Sequence, residues 1–217
     1  MKPLICFDMD QTLVSSNLAH IYAYKHMLRV LKLLKYKKNW REIIKLRTRE
    51  EAVKKLCPQF NSKQVENGVK IYLDYLDNIS YKRIKIKKYA YQTLKALKPK
   101  YKIAIVTNCN AHTAAIFLKY VGLKKFIDCY TGTESVKEPK PSPEVLFAAQ
   151  KSCKGKLIVE IGDSINDIKA AHSAGVPVIS IATGNHNITE LKKYKPDFLL
   201  KNLKDVPKVV GKIYLNQ

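Results

Sequence analysis

The 217-residue chain carries 40 Lys and Arg against 18 Asp and Glu, a formal net charge of +22, with 46% hydrophobic residues. Its size and composition suit one large folded domain, or a core with a smaller inserted module, and no apolar run reaches membrane-spanning length. A field of this sign attracts anions, a phosphorylated substrate or nucleic acid alike, although lysine enrichment on solvated faces explains it as plainly; ion-pair networks of the heat-adapted kind would need more glutamate.

The chain opens on an apolar run, Leu4 to Phe7, that leads straight into Asp8, Asp10 and Thr12. The run has the length of a buried parallel strand, and an acid at its end argues against a signal peptide. A strand ending in Asp-x-Asp-x-Thr delivers two carboxylates to the carboxyl edge of a sheet, where open α/β sheets build their sites. Two acids so close repel, and a divalent cation or a split of their pKa values relieves them. The plainer alternative is an Asp pair capping a strand-loop-helix junction.

From Ser16 to about Tyr81 the pattern is helical throughout. Asn17 is placed to cap a first helix with Leu18, Ile21, Tyr22, Leu28, Leu31 and Leu34 at helical spacing, and Lys35 to Lys38 end it. Trp40 to Leu56 predicts a second helix, stopped by Pro58, and Ser62 caps a third through Val65, Val69, Tyr72, Leu73 and Leu76. The block from Ser16 to Asn78 holds 14 Lys and Arg against 6 Asp and Glu, and no acid occurs from Asn78 to Ile127. A helical insertion between two strands is expected to fold over the strand ends as a lid. Its aromatic residues Tyr22, Tyr24, Tyr36 and Trp40 lie at helical spacing, which favours packing over stacking on bases, and His20 and His26 have no partner pattern.

Strand and helix then alternate. A helix is expected over Lys87–Lys98 and a strand over Ile103–Val106, ending in Thr107 and Asn108. Asn110 caps a helix closed by Gly122, and Phe126–Tyr130 reads as a short strand. Lys140 sits between Pro139 and Pro141, followed by Ser142-Pro143 at a helix start. Leu157 to Ile161 is a strand that runs into Gly162 and Asp163; Asp163 and Asp167 are four apart, so a helix that begins by Ser164 is expected to turn both carboxylates to the strand-end cleft. Val176–Ala182 and Asp197–Leu200 are the last strands, with a helix from Thr189 between them. This alternation predicts an α/β fold: a doubly wound parallel sheet, Rossmann-like, made by residues 1–15 and 82–217, with an inserted all-α cap over 16–81. The five cysteines, Cys6, Cys57, Cys109, Cys129 and Cys153, are scattered and odd in number, which reads as small buried thiols in a reduced, cytoplasmic setting.

Four strand ends thus carry a polar payload: Asp8 with Asp10, Thr107 with Asn108, Lys140, and Asp163 with Asp167. In this order they resemble the haloacid dehalogenase superfamily of phosphohydrolases. The resemblance rests on Asp8-Met9-Asp10-Gln11-Thr12-Leu13, Val106-Thr107-Asn108, Lys137-Glu138-Pro139-Lys140-Pro141 and Gly162-Asp163-Ser164-Ile165-Asn166-Asp167. The last two look most like the phosphoglycolate phosphatase-like branch, with β-phosphoglucomutase as a relative. The resemblance implies that Asp8 is the nucleophile and that Asp10 protonates the leaving oxygen and then activates water. It implies Mg²⁺ held by Asp8, the Asp10 backbone carbonyl and Asp163, with Asp167 as a ligand or behind one. The Thr107 hydroxyl and nearby backbone N–H groups, including that of Asn108, would hold phosphate oxygens, and Lys140 would neutralise the phosphoryl group and Asp8. Gln11 departs from the pattern, since glycine is frequent there.

The expectation is therefore a Mg²⁺-dependent phosphatase acting on a small phosphorylated metabolite, phosphoglycolate first, through an aspartyl-phosphate. The alternatives are phosphoglucomutase-like phosphoryl transfer, and a phosphatase or binding protein acting on nucleic acid through the basic field.

Overall fold

In the computed structural model, residues 1–33, 39–46 and 48–215 are described. The chain divides into two compact units, Met1–Ser15 with Lys85–Gln217, and Ser16–Ile84.

The first unit is built on six parallel strands. Strand β1 (Pro3–Phe7) is fully buried beyond its first residue, as an apolar run with helices on both sides must be. The chain then forms β2 (Val14–Ser15) and leaves for the helical unit. That unit comprises α1 (Asn17–Val30), α2 (Trp40–Ile43), α3 (Arg49–Leu56) and α4 (Ser62–Asn78). The chain returns through β3 (Lys85–Ile86), which pairs antiparallel with β2. Next come α5 (Ala90–Leu97), β4 (Lys102–Val106), α6 (Ala111–Tyr120), β5 (Cys129–Thr131), α7 (Glu144–Cys153), β6 (Lys156–Gly162) and α8 (Ile165–Ala174). The chain ends with β7 (Val178–Ile181), α9 (Ile188–Lys192), β8 (Phe198–Leu200) and α10 (Val206–Leu215). The sheet order is β5-β4-β1-β6-β7-β8, so the strand direction of travel reverses beside β1. That reversal opens a crevice at the carboxyl ends of β1, β4 and β6, the place where doubly wound sheets bind ligands. The expected doubly wound parallel sheet is thus observed. Its α7 and α8 side is closed by an apolar layer that includes Leu4, Cys6, Val106, Leu146, Ala149 and Ala170.

Within the helical unit, Tyr24 and Tyr72 are fully buried and stack with centroids 4.2 Å apart. His20 Nδ1 lies 2.6 Å from the Tyr72 hydroxyl, and His26 stacks on Tyr75. Tyr22 sits under the Arg83 guanidinium at 3.7 Å. These rings are engaged within the unit, as helical spacing predicts; Leu34 and Tyr36, and the Lys35–Lys38 stop, lie outside the described residues.

Several local expectations are corrected. The stretch 40–56 is two helices rather than one, because Thr48 caps α3 by accepting from the Glu51 amide at 3.1 Å. Ser16 rather than Asn17 stands at the cap of α1. Asn61 rather than Ser62 caps α4, in a capping box with Gln64. Residues 124–126 form a 3₁₀ turn, so the strand expected from Phe126 begins at Cys129. Cys129 and Cys153 form a disulfide, contrary to five free thiols: the end of α7 packs on β5 and brings their Cα atoms to 5.7 Å across 24 residues of sequence. Cys6, Cys57 and Cys109 are free and buried. Among the described residues no helix is long and apolar enough to cross a membrane.

Candidate active site

The site is assembled from turns at the ends of β1, β4 and β6 and from the loop before α7. After β1, the Asp8 amide donates to the Ile161 carbonyl at 2.8 Å, which keeps the chain on β6 for one residue more. A tight turn follows, with the Leu13 amide on the Met9 carbonyl and the Gln11 amide on the Val14 carbonyl. Gln11 takes φ 64°, the left-handed conformation that glycine adopts without steric cost. The loop therefore keeps the shape a glycine would give it despite the substitution.

Lys140 is the centre of the arrangement. Its side chain is buried, and its Nζ donates to Asp8 Oδ1 at 2.9 Å, to the Val106 carbonyl at 2.9 Å and to Asp167 Oδ1 at 2.5 Å. Glu160 Oε1 lies 3.8 Å from the same nitrogen. The backbone of Lys140 is clamped by Asn108, whose Oδ1 accepts from the Lys140 amide and whose Nδ2 donates to the Lys140 carbonyl, both at 2.9 Å. So β4 fixes Lys140 twice, through the Val106 carbonyl and through the Asn108 side chain.

Asp163 and Asp167 come from the turn between β6 and α8. Ser164 caps α8 in a capping box with Asp167, whose Oδ2 accepts from the Ser164 amide at 2.9 Å and the Ser164 hydroxyl at 2.7 Å. Asp167 therefore spends one oxygen on its own helix and the other on Lys140. Asp163 accepts from the Thr12 hydroxyl and from the Asn185 amide, each at 3.3 Å. A Cβ on Gly162 would overlap the Asp167 carboxylate, and one on Gly184 would overlap Asp163 Oδ2. Both positions must stay bare for the carboxylates to sit where they do.

The electrostatics follow from burial. Burial pushes the Asp8 carboxyl up to about 7, against the pull of Lys140 and with help from the Asp167 and Asp10 charges. Burial likewise raises Asp163, with Asp8 and Asp167 adding to it. For Lys140, burial alone would lower the ammonium, but Asp167, Asp8 and Glu160 outweigh it and hold the group well above its ordinary range. Burial raises Glu160 well above the carboxylate range.

Carboxylate oxygens of Asp8, Asp163 and Asp167 lie within 4.8 Å of one another. Asp8 Oδ2 is buried without a hydrogen-bond partner among the described residues. An all-oxygen donor set of this kind with an orphaned anionic atom fits a hard divalent cation. Of the residues singled out in the sequence, Asp8, Lys140, Asp163 and Asp167 come together directly. Asp10 stands beside them with its Oδ2 accepting from the Cys109 thiol at 3.2 Å. Thr107 is buried at the end of β4, where its hydroxyl accepts from the Cys109 amide at 3.0 Å, and Asn108 turns its side chain to Lys140 rather than into the crevice.

Sequence reasoning missed Glu160, Gly184, Cys109 and the clamp made by Asn108. Only Glu160 carried a signal, as the one acid inside the buried strand Lys156–Gly162.

Known proteins share this architecture. A pyrophosphatase PpaX of Halalkalibacterium halodurans is 28% identical over 217 residues, covering 95% of this chain and 96% of its own. A predicted phosphoglycolate phosphatase of Haemophilus somnus superposes with a TM-score of 0.80 at 25% identity, covering 95% of this chain and 96% of its own. A haloacid dehalogenase-like hydrolase structure from Bacteroides fragilis superposes with a TM-score of 0.83 at 23% identity, over 95% of this chain and all of its own. The haloacid dehalogenase-like hydrolase family matches residues 5–181, the span that supplies every group gathered around Lys140 except the Gly184 and Asn185 turn. By sequence and by fold, then, the chain belongs to the haloacid dehalogenase-like hydrolases.

Proposed function

We propose that this protein is a Mg²⁺-dependent phosphatase that hydrolyses a small phosphorylated metabolite through an aspartyl-phosphate on Asp8. The observation that carries this reading is the buried Lys140 ammonium held between Asp8 and Asp167. The Lys140 ammonium pulls against the burial that raises Asp8, and the carboxylate beside it, with its second oxygen unengaged, is prepared to attack phosphorus.

In this reading Asp8 attacks in line and the Lys140 ammonium offsets the negative charge that gathers on the phosphoryl oxygens. Asp10 gives a proton to the departing oxygen and then takes one from the water that attacks the aspartyl-phosphate. The Thr107 hydroxyl and the backbone N–H groups at Asn108 hold phosphoryl oxygens. Asn108 orients Lys140 through its two hydrogen bonds. Asp8, the Asp10 backbone carbonyl and Asp163 would hold Mg²⁺, with Asp167 behind them because both its oxygens are engaged. A bound Mg²⁺ would draw the Asp8 oxygen and the phosphate together by neutralising their repulsion.

The leading substrate is phosphoglycolate. Pyrophosphate is the second reading, favoured by the name carried by the pyrophosphatase relative that matches over nearly the whole chain. Both present a phosphoryl group on an anionic leaving group, which suits a chain of net charge +22. The test is a panel of phosphorylated metabolites, with pyrophosphate included, ranked by kcat/KM in Mg²⁺. One of the two is expected to stand clear of the rest, and hydrolysis undiminished in Asp8→Asn would end the proposal.

A further inference from the structure

Glu160 is the one acid of β6, and it is fully buried. Its register partner on β1 is Cys6, so it shares the face of the sheet that looks into the apolar layer under α7 and α8. Neither of its carboxylate oxygens has a hydrogen-bond partner among the described residues. Packing gives no reason for a carboxylate there, since an apolar side chain of similar size would cost less to bury. The nearest cation is the Lys140 ammonium, 3.8 Å from Oε1 and so beyond hydrogen-bond range.

An ammonium has three N–H donors. In Lys140 all three are used, on Asp8 Oδ1, the Val106 carbonyl and Asp167 Oδ1. The proposed reaction changes one of those acceptors. An Asp8 oxygen bonds to phosphorus as the ester P–O bond breaks; the electron pair leaves on the departing oxygen, which takes a proton from Asp10. Asp8 is then an acyl phosphate, and its carboxyl oxygens no longer carry a full negative charge. A buried ammonium left with a poorly matched donor is costly. Among the described residues, and apart from the Asp8 oxygen that takes the phosphoryl group, the orphaned acceptor beside it is Glu160.

We propose that Glu160 is a positioning residue that accepts a hydrogen bond from Lys140 once Asp8 is bonded to phosphorus, and so keeps the ammonium at the phosphoryl group through the reaction. The inference rests on the phosphatase reading above. It requires that Glu160 act late: with substrate merely bound, Lys140 still has its three partners. Loss of Glu160 therefore falls on kcat and leaves KM close to its starting value.

The experiment compares Glu160→Leu and Glu160→Gln with the unaltered protein, using p-nitrophenyl phosphate in Mg²⁺, with Tm measured alongside. Glu160→Leu is expected to fold with an equal or higher Tm and to lose about tenfold in kcat at nearly constant KM. Glu160→Gln keeps a carbonyl oxygen that can accept from Nζ, and is expected to stay within about threefold of the unaltered rate. Full kcat in Glu160→Leu would overturn the proposal, and so would a Glu160→Gln variant as slow as Glu160→Leu. Asp8→Asn in the same assay separates the two failures. If it is inactive while Glu160→Leu is unimpaired, only the role of Glu160 is lost; if it is fully active, the phosphatase reading is lost as well.

Discussion

Replacing Lys140 by Met keeps a long unbranched side chain and removes the charge on which three buried carboxylates converge. Asp8 and Asp167 would each lose a charge-assisted hydrogen bond, of 2.9 and 2.5 Å, and Glu160 its nearest cation at 3.8 Å. Removing one partner of a buried ionic cluster costs about 3–5 kcal/mol, since the remaining charges stay out of water. In a chain of 217 residues, each kcal/mol shifts Tm by roughly 2–4 °C, so Tm should fall by roughly 6–20 °C near neutral pH. The deficit should depend on pH in a definite direction. Carboxylates without Lys140 hold protons more readily, and burial already places Asp8 at about 7. Acidification neutralises the orphaned groups, so the loss should be large at about pH 8 and much smaller at about pH 5. The assay is thermal unfolding of both proteins in EDTA at the two pH values. Equal Tm values for variant and parent at the higher pH would refute the reasoning, as would a deficit that grows on acidification. Turnover of an aryl phosphate should fall by about 10²–10³ as well, the usual cost of removing one charge-stabilising donor from a transition state.

Asp8→Asn should be inactive yet more stable than the parent above about pH 7 in the absence of metal. The folded protein holds the Asp8 proton up to about 7 whereas the unfolded chain releases it near the ordinary 3.8, so this group's contribution is full below about pH 4 and is lost as pH rises through about 7; the amide has no such slope, and a Tm that rises with pH equally in both proteins over that window would contradict it. Gly184→Ala should displace the Asp163 carboxylate, because the added Cβ meets Oδ2; titration with Mg²⁺ should show markedly weaker binding with the fold retained by circular dichroism, and unchanged affinity would show that Asp163 is not a ligand.

Much of this arrangement could be read from the chain because strand ends are written in a simple code. A largely apolar run such as Leu4–Phe7 or Leu157–Ile161 marks a strand buried on both faces, and in a parallel sheet the first acid after it lies at the sheet's carboxyl edge. That logic gives Asp8 and Asp163 their places without any knowledge of the packing. It fails for Glu160, since a charge inside the run contradicts the pattern and reveals its partner only once Lys140 has folded over it. It fails for the Cys129–Cys153 bridge too, because the pairing depends on how α7 lies across β5. Asn108 was visible as a strand-end polar residue, but which way its amide turns is decided by the loop that carries Lys140. The break between α2 and α3 was legible in Thr48, whose spacing to Glu51 is that of a cap; hydrophobic periodicity alone carries straight through it. The two-residue strands β2 and β3 are too short for any periodic signal.

The claim on which everything here depends is that Asp8 itself takes the phosphoryl group. A single turnover of the substrate selected by the panel, in Mg²⁺, quenched in acid and digested, allows the peptide spanning Asp8 to be weighed by mass spectrometry. A phosphoryl group on that peptide, formed before product appears and absent in Asp8→Asn, is the predicted result. Hydrolysis that proceeds at full rate with Asp8 unmodified at every quench time would contradict it.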